Sequence, residues 1–132
     1  MKPLRIAVIV TTYNRPPALA AVLDSLAGQS YGDFEVLVAD DGSGPETAQL
    51  IEERAARVEF PLHHVWHQDQ GFRAAAIRNR AVAQTRAPYL VFLDGDCLVR
   101  PDFLRWHARL ASSGRFVAGN RVLLSEPFTE GV

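Results

Sequence analysis

Two aspartates separated by a single glycine, Asp94-Gly95-Asp96, follow directly on the apolar run Tyr89-Leu90-Val91-Phe92-Leu93. Carboxylate oxygens are hard donors, and two of them so closely spaced suit Mg²⁺ or Mn²⁺ held jointly with substrate phosphates. Gly95 lets the backbone bend between them and removes a side chain where a ligand could approach closely. Two further polar clusters also end apolar runs. Thr11-Thr12-Tyr13-Asn14-Arg15 follows residues 5–10, and Asp40-Asp41-Gly42-Ser43 follows residues 34–39. Tyr13 offers a ring on which a base could stack, while Asp40 or Asp41 could accept hydrogen bonds from a base or ribose. Taken singly, each acidic cluster is also what an ordinary turn or helix cap would use.

The order of the elements is what would unite these clusters. The uninterrupted apolar run at 89–93 predicts a strand buried on both faces, as in a parallel sheet covered by helices. Pro16 and Pro17 suit the opening of a helix whose Leu19, Val22, Leu23 and Leu26 form an apolar stripe, with Gly28 as a stop. Pro45 and Glu46 open a second helix reaching about Arg57, with Ala48, Ile51 and Ala55 facing inward. Residues 62–67 read as a third, shorter strand. Ala74, Ile77 and Ala81 mark one face of a third helix that ends before Pro88. Pro101 opens a fourth, with Phe103, Leu104, His107, Leu110 and Ala111 at helical spacing, and residues 116–123 read as a last strand. This alternation predicts an α/β, Rossmann-like fold with a mostly parallel sheet and flanking helices. In such sheets ligands bind outside the carboxyl ends of the strands. The three polar clusters are therefore expected on one edge, around a pocket suited to a nucleotide.

Other polar residues divide into candidates and scaffold. Arg73, Arg78, Arg80 and Arg86 crowd the third helix but do not share one face. Arg78 with Asn79 is suited to hold a diphosphate or ribose through forked, charge-assisted bonds. His63, His64 and His67 do not make a zinc site. Alternation along a strand turns His64 away, and the other two would lie about 13 Å apart at ~3.3 Å per residue. His107 and Cys97 read as packing residues. The place after the first strand holds no Gly-x-Gly-x-x-Gly, which argues against a dinucleotide-dependent oxidoreductase, nor the glycine-rich phosphate loop that a sugar-nucleotide pyrophosphorylase would want there.

With 132 residues the chain fits one domain with a real core. Apolar residues make up 48% and charged residues 22%, as in soluble globular proteins. A net charge of −1 gives no basic field for nucleic acid or an anionic membrane. No apolar run approaches the ~20 residues of a membrane-spanning helix, no secretory signal is recognisable, and the lone Cys97 fits a reducing compartment. A cytoplasmic domain is the expectation.

In order and spacing, Val10-Thr11-Thr12-Tyr13-Asn14-Arg15, Val38-Ala39-Asp40-Asp41-Gly42-Ser43 and Phe92-Leu93-Asp94-Gly95-Asp96 resemble the landmark segments of family 2 glycosyltransferases. Gly71-Phe72-Arg73-Ala74-Ala75-Ala76-Ile77-Arg78-Asn79 further resembles the chondroitin-polymerase-like members. The resemblance implies the GT-A fold and metal-dependent, inverting transfer of a sugar from a nucleotide-diphosphate donor, most often a UDP-sugar, to a hydroxyl of a saccharide or lipid-linked acceptor. It implies that Thr12, Tyr13 and Arg15 line the base pocket, that Asp41 reads the base, and that Asp94 contacts ribose or metal. Asp96 would be the main ligand of Mn²⁺ or Mg²⁺. Family members carry the acceptor-binding half and the catalytic base beyond this region. The expectation is therefore a donor-binding domain at residues 1–124, an unpatterned tail at 125–132, and a chain that transfers poorly alone. Glu126 and Glu130 in that tail are not assigned as the base. An exposed sheet edge would allow a homodimer. The alternative reading is a non-catalytic nucleotide-binding or partner-interaction domain that keeps the fold.

Overall fold

A computed structural model of the chain describes residues 4–110. Four strands and four helices alternate: β1 (Ile6–Thr12), α1 (Pro16–Ala27), β2 (Phe34–Asp40), α2 (Pro45–Ala55), β3 (Leu62–Trp66), α3 (Ala74–Ala83), β4 (Tyr89–Asp94) and α4 (Phe103–Leu110). The strands form one sheet in the order β3-β2-β1-β4, with every neighbouring pair parallel. The α/β expectation is met. The predicted strand at 116–123, Ala111 and the 125–132 tail lie outside the described residues.

β1 is central because both its faces are apolar. Ile6, Val8 and Val10 join α1, Phe34, Val36 and Val38 in one core, while Ala7 and Ile9 join α3, Leu37 and Ala39 in the other. The α1 stripe of Leu19, Val22, Leu23 and Leu26 is buried as predicted. Each such side chain contributes about 1.5–3 kcal/mol by leaving water. The period of two along β1 and β2 and the 3.6-residue period of α1 thus agree on one sheet face.

Two local expectations are corrected. α2 turns Thr47 and Ile51 inward, whereas Ala48 and Ala55 are exposed. Alanine adds little apolar surface, so Ile51, with Leu50 beside it, sets the rotation of that helix. β4 is not buried on both faces: it closes one side of the described sheet, and Phe92 is 50% exposed. α3 packs chiefly over β2, with β1 and β3, and does not blanket β4. Gly28 ends α1 as expected, at φ −91°, a conformation open to any residue, so the left-handed freedom of glycine is not used there.

The register brings the strand ends level. Thr12 pairs with Asp40, and Thr11 pairs with Asp94. Parallel pairing therefore places all three polar clusters along one sheet edge, as the chain order requires.

Candidate nucleotide and metal site

A cavity of about 520 Å³ opens at that edge. Thr12, Tyr13 and Arg15 from the end of β1, Asp41 from β2, and Asp94, Gly95 and Asp96 from β4 all line it. So do Asp69, Gly71, Phe72, Ala74 and Ile77 from the β3–α3 loop and the start of α3. Arg78 does not line it. Its guanidinium lies over the Phe92 ring, 5.8 Å from the centroid. Phe92 is two residues before Asp94 and on the same face of β4, so Arg78 stands one pleat behind the cavity.

The β4 end is the open part of the site. Asp94 and Asp96 are exposed, and Cys97 is buried beneath them. One ligand atom from each of the three lies within 4.8 Å of the others. Two exposed carboxylates with this convergence fit a hard divalent cation. The Cys97 Sγ lies 3.7 Å from Asp96 Oδ1 and is buried, as a packing residue would be. Arg15 places Nη1 3.6 Å from Asp96 Oδ2, a solvent-exposed pairing. Gly95 has a further reason: a Cβ there would lie 2.4 Å from the Thr11 carbonyl oxygen, so the β1 backbone itself leaves no room for a side chain. Among the described residues, Thr12 Oγ1 is the buried side-chain polar atom with no hydrogen-bond partner. It belongs to a cavity-lining residue and is a group that a ligand could satisfy.

The β2 end is built differently. Asp40 is fully buried; its Oδ1 accepts the Ser43 N–H at 2.9 Å and its Oδ2 lies 2.7 Å from His64 Nε2. Burial pushes the Asp40 carboxyl up, but the bonds from His64 and Ser43 outweigh it and hold it below the usual range. Asp41 Oδ1 lies 2.5 Å from His67 Nε2, and its Oδ2 accepts the Arg73 N–H at 2.8 Å. Ser43 is not a helix cap, since the N-cap of α2 is Gly44 and no side chain caps the helix. Instead Ser43 Oγ accepts the Asn14 N–H at 2.7 Å, and Asn14 Oδ1 accepts the Gly44 N–H at 2.8 Å. Asn14 makes both bonds from φ +48°, which asparagine tolerates better than most residues.

The histidines left aside in the sequence are thus the partners of carboxylates: His64 of Asp40 and His67 of Asp41, with His63 3.7 Å from Glu35. They do not cluster as metal ligands. His107 Nδ1 lies 2.8 Å from the Tyr89 hydroxyl, and burial pushes its imidazole down, as a packing residue would have it. Sequence reasoning missed Asp69. Its Oδ2 accepts the Tyr13 hydroxyl at 2.6 Å and its Oδ1 accepts the Gly71 N–H at 3.1 Å. Asp69-Gln70-Gly71 is a turn signal, and Gly71 does take φ +87°. Nothing in the spacing reveals which strand end that turn folds against.

Residues 7–130 match the family model for glycosyl transferase family 2. A validoxylamine A glucosyltransferase of Streptomyces hygroscopicus subsp. jinggangensis is 35% identical over 102 residues, covering 76% of this chain and 24% of that protein. The chain thus spans about a quarter of the length of that relative. Staphylococcus aureus TarS 1–349 in complex with UDP-GlcNAc superposes with a TM-score of 0.70 at 26% identity, covering 88% of this chain and 37% of that one. The mannosyltransferase PcManGT of Pyrobaculum calidifontis, in complex with GDP-Man and Mn²⁺, gives 0.69 at 28% identity over 82% of this chain and 35% of that one.

Proposed function

This chain belongs to glycosyl transferase family 2, and on that footing we propose that its cavity binds the nucleoside diphosphate of a sugar donor. Residues 1–124 are then the donor-binding domain of a transferase that passes the sugar to an acceptor hydroxyl with inversion. One observation carries the reading: three polar strand ends meet around a single cavity whose β4 side presents two exposed carboxylates. TarS was solved with UDP and UDP-GlcNAc, and PcManGT with GDP-Man and Mn²⁺, so nucleotide sugars are bound on this fold elsewhere.

Each residue then has a task. Thr12, Tyr13 and Arg15 line the base and ribose side, with the unpartnered Thr12 hydroxyl facing a polar ligand atom. Asp41, fixed by His67 and the Arg73 N–H, presents its remaining acceptor capacity to the base. Asp96, with Asp94, would hold Mn²⁺ or Mg²⁺, which neutralises charge developing on the departing diphosphate. Arg15 exchanges its exposed contact with Asp96 for a phosphate oxygen. Arg78, stacked over Phe92 outside the cavity, is left without a contact to the donor in this reading. Holding the donor in one pose lowers the entropic part of the barrier. A UDP-sugar is the proposed donor.

Calorimetric titration of UDP, GDP and dTDP with and without Mn²⁺ tests this. UDP should bind only with the metal, and Asp96→Asn should weaken it at least about tenfold, since even outer-shell changes at metal sites cost 10–100-fold. A cooperatively folded protein that binds none of the three with Mn²⁺ present would overturn the proposal.

A further inference from the structure

We propose that Asp69 is a positioning residue for the base: through its hydrogen bond to the Tyr13 hydroxyl it fixes the orientation of the ring on which the nucleotide base stacks. This rests on the nucleotide reading above and adds a residue to it. Tyr13 is 46% exposed at the cavity rim, on a loop that would otherwise leave its ring free to rotate. The phenol reaches across the cavity edge to Asp69, 56 positions later in the chain, at 2.6 Å. The bond draws the phenol pKa up and the carboxyl pKa down, as a donor and an ionised acceptor require.

Asp69 can hold Tyr13 only because its own backbone is held. A Cβ on Gly42 would come within 2.5 Å of the Asp69 N and Cα, so the loop is seated directly on the β2–α2 turn, and Gly42 at φ +97° makes the room. On either side of Asp69, His67 Nε2 and the Arg73 N–H are both tied to the Asp41 carboxylate. Gly71, with its N–H on Asp69 Oδ1, turns the chain back toward α3. The loop is thus a preassembled wall, and Asp69 is the point at which it grips the β1 loop. A ring set in place before the ligand arrives costs less ordering on binding. Tyr13 Oη donates, so an acceptor at position 69 is required but a charge is not.

The test is a double-mutant cycle in UDP affinity with Mn²⁺, using Tyr13→Phe, Asp69→Ala and both together, with Asp69→Asn as the conservative variant. Tyr13→Phe keeps the ring and loses only the donor. Each single change should weaken UDP about fivefold, and the double variant should be no weaker than either one, because both remove the same bond. Asp69→Asn should stay within about twofold, since its amide oxygen still accepts. Affinity for inorganic pyrophosphate with Mn²⁺ should be unchanged in all four, because the effect is confined to the base. Metal-dependent UDP binding with additive losses, or an equal loss for pyrophosphate, would overturn the role of Asp69 while leaving the nucleotide site standing. A wild-type protein that binds no UDP would overturn both.

Discussion

Two acidic pairs stand at the same sheet edge, and they are opposites. Asp40 and Asp41 at the end of β2 are buried, and each faces a histidine and accepts a backbone N–H. Asp94 and Asp96 at the end of β4 are exposed, and Asp96 faces Arg15 across 3.6 Å of solvent-accessible space. One pair spends much of its acceptor capacity inside the protein, helping to bind together the β1–α1 loop, the β2–α2 turn and the β3–α3 loop. The other lies exposed along the cavity, where we propose that it holds the metal. Residue type does not separate an aspartate tied into the protein from one left exposed at the cavity; burial and the donors already in place do.

Substitutions can break that contrast, and the largest effect belongs to the buried pair. Asp40→Ala leaves the His64 ring and the Ser43 N–H without their partner in a buried setting. It should lower unfolding free energy by about 3 kcal/mol, the upper end of the cost of stranding buried hydrogen-bond partners, read by urea denaturation. Gly42→Ala should follow at about 2 kcal/mol, because φ +97° is strained for alanine and its methyl would strike Asp69. Asp41→Asn should cost about 1–2 kcal/mol, since the amide keeps one acceptor for the Arg73 N–H but presents its NH₂ to His67. It should also weaken UDP. The exposed pair behaves in the reverse way. Asp94→Asn and Asp96→Asn should change stability by no more than about 0.5 kcal/mol, as surface substitutions do. A stability loss from Asp96→Asn as large as that from Asp40→Ala would erase the distinction.

Acid sharpens the same comparison. The Asp40 pKa is lower in the folded protein than in the unfolded chain, so the unfolded state takes up the proton more readily. Its contribution is present above the ordinary carboxyl pKa of 3.8 and is lost as pH falls below that value and through the folded one. The acid limb of stability against pH should flatten in Asp40→Asn and remain in Asp96→Asn.

Much of this was legible in the chain. Three apolar runs ending in polar clusters were enough to specify a parallel sheet and to bring Thr12, Tyr13, Asp41, Asp94 and Asp96 to one edge, because strand direction alone fixes that placement. The internal partners were not legible. His64 and His67 face the β2 carboxylates because β3 pairs with β2 in one register, Asp40 against Trp66, and no local pattern states that register. Asp69 was hidden for a related reason, since its contact with Tyr13 depends on how a loop seats on Gly42. Phe92 was misread because an apolar run does not state which helix covers it; among the described residues α3 packs chiefly over β2 and leaves Phe92 half exposed.

Electron paramagnetic resonance of Mn²⁺ in the presence of UDP puts the contrast to a single trial. The free six-line signal should shrink on adding wild-type protein and, at higher UDP, on adding Asp41→Asn, but should persist with Asp96→Asn. Undiminished Mn²⁺ binding by Asp96→Asn, or its abolition in a folded Asp41→Asn protein saturated with UDP, would mean that the metal does not sit on the β4 pair.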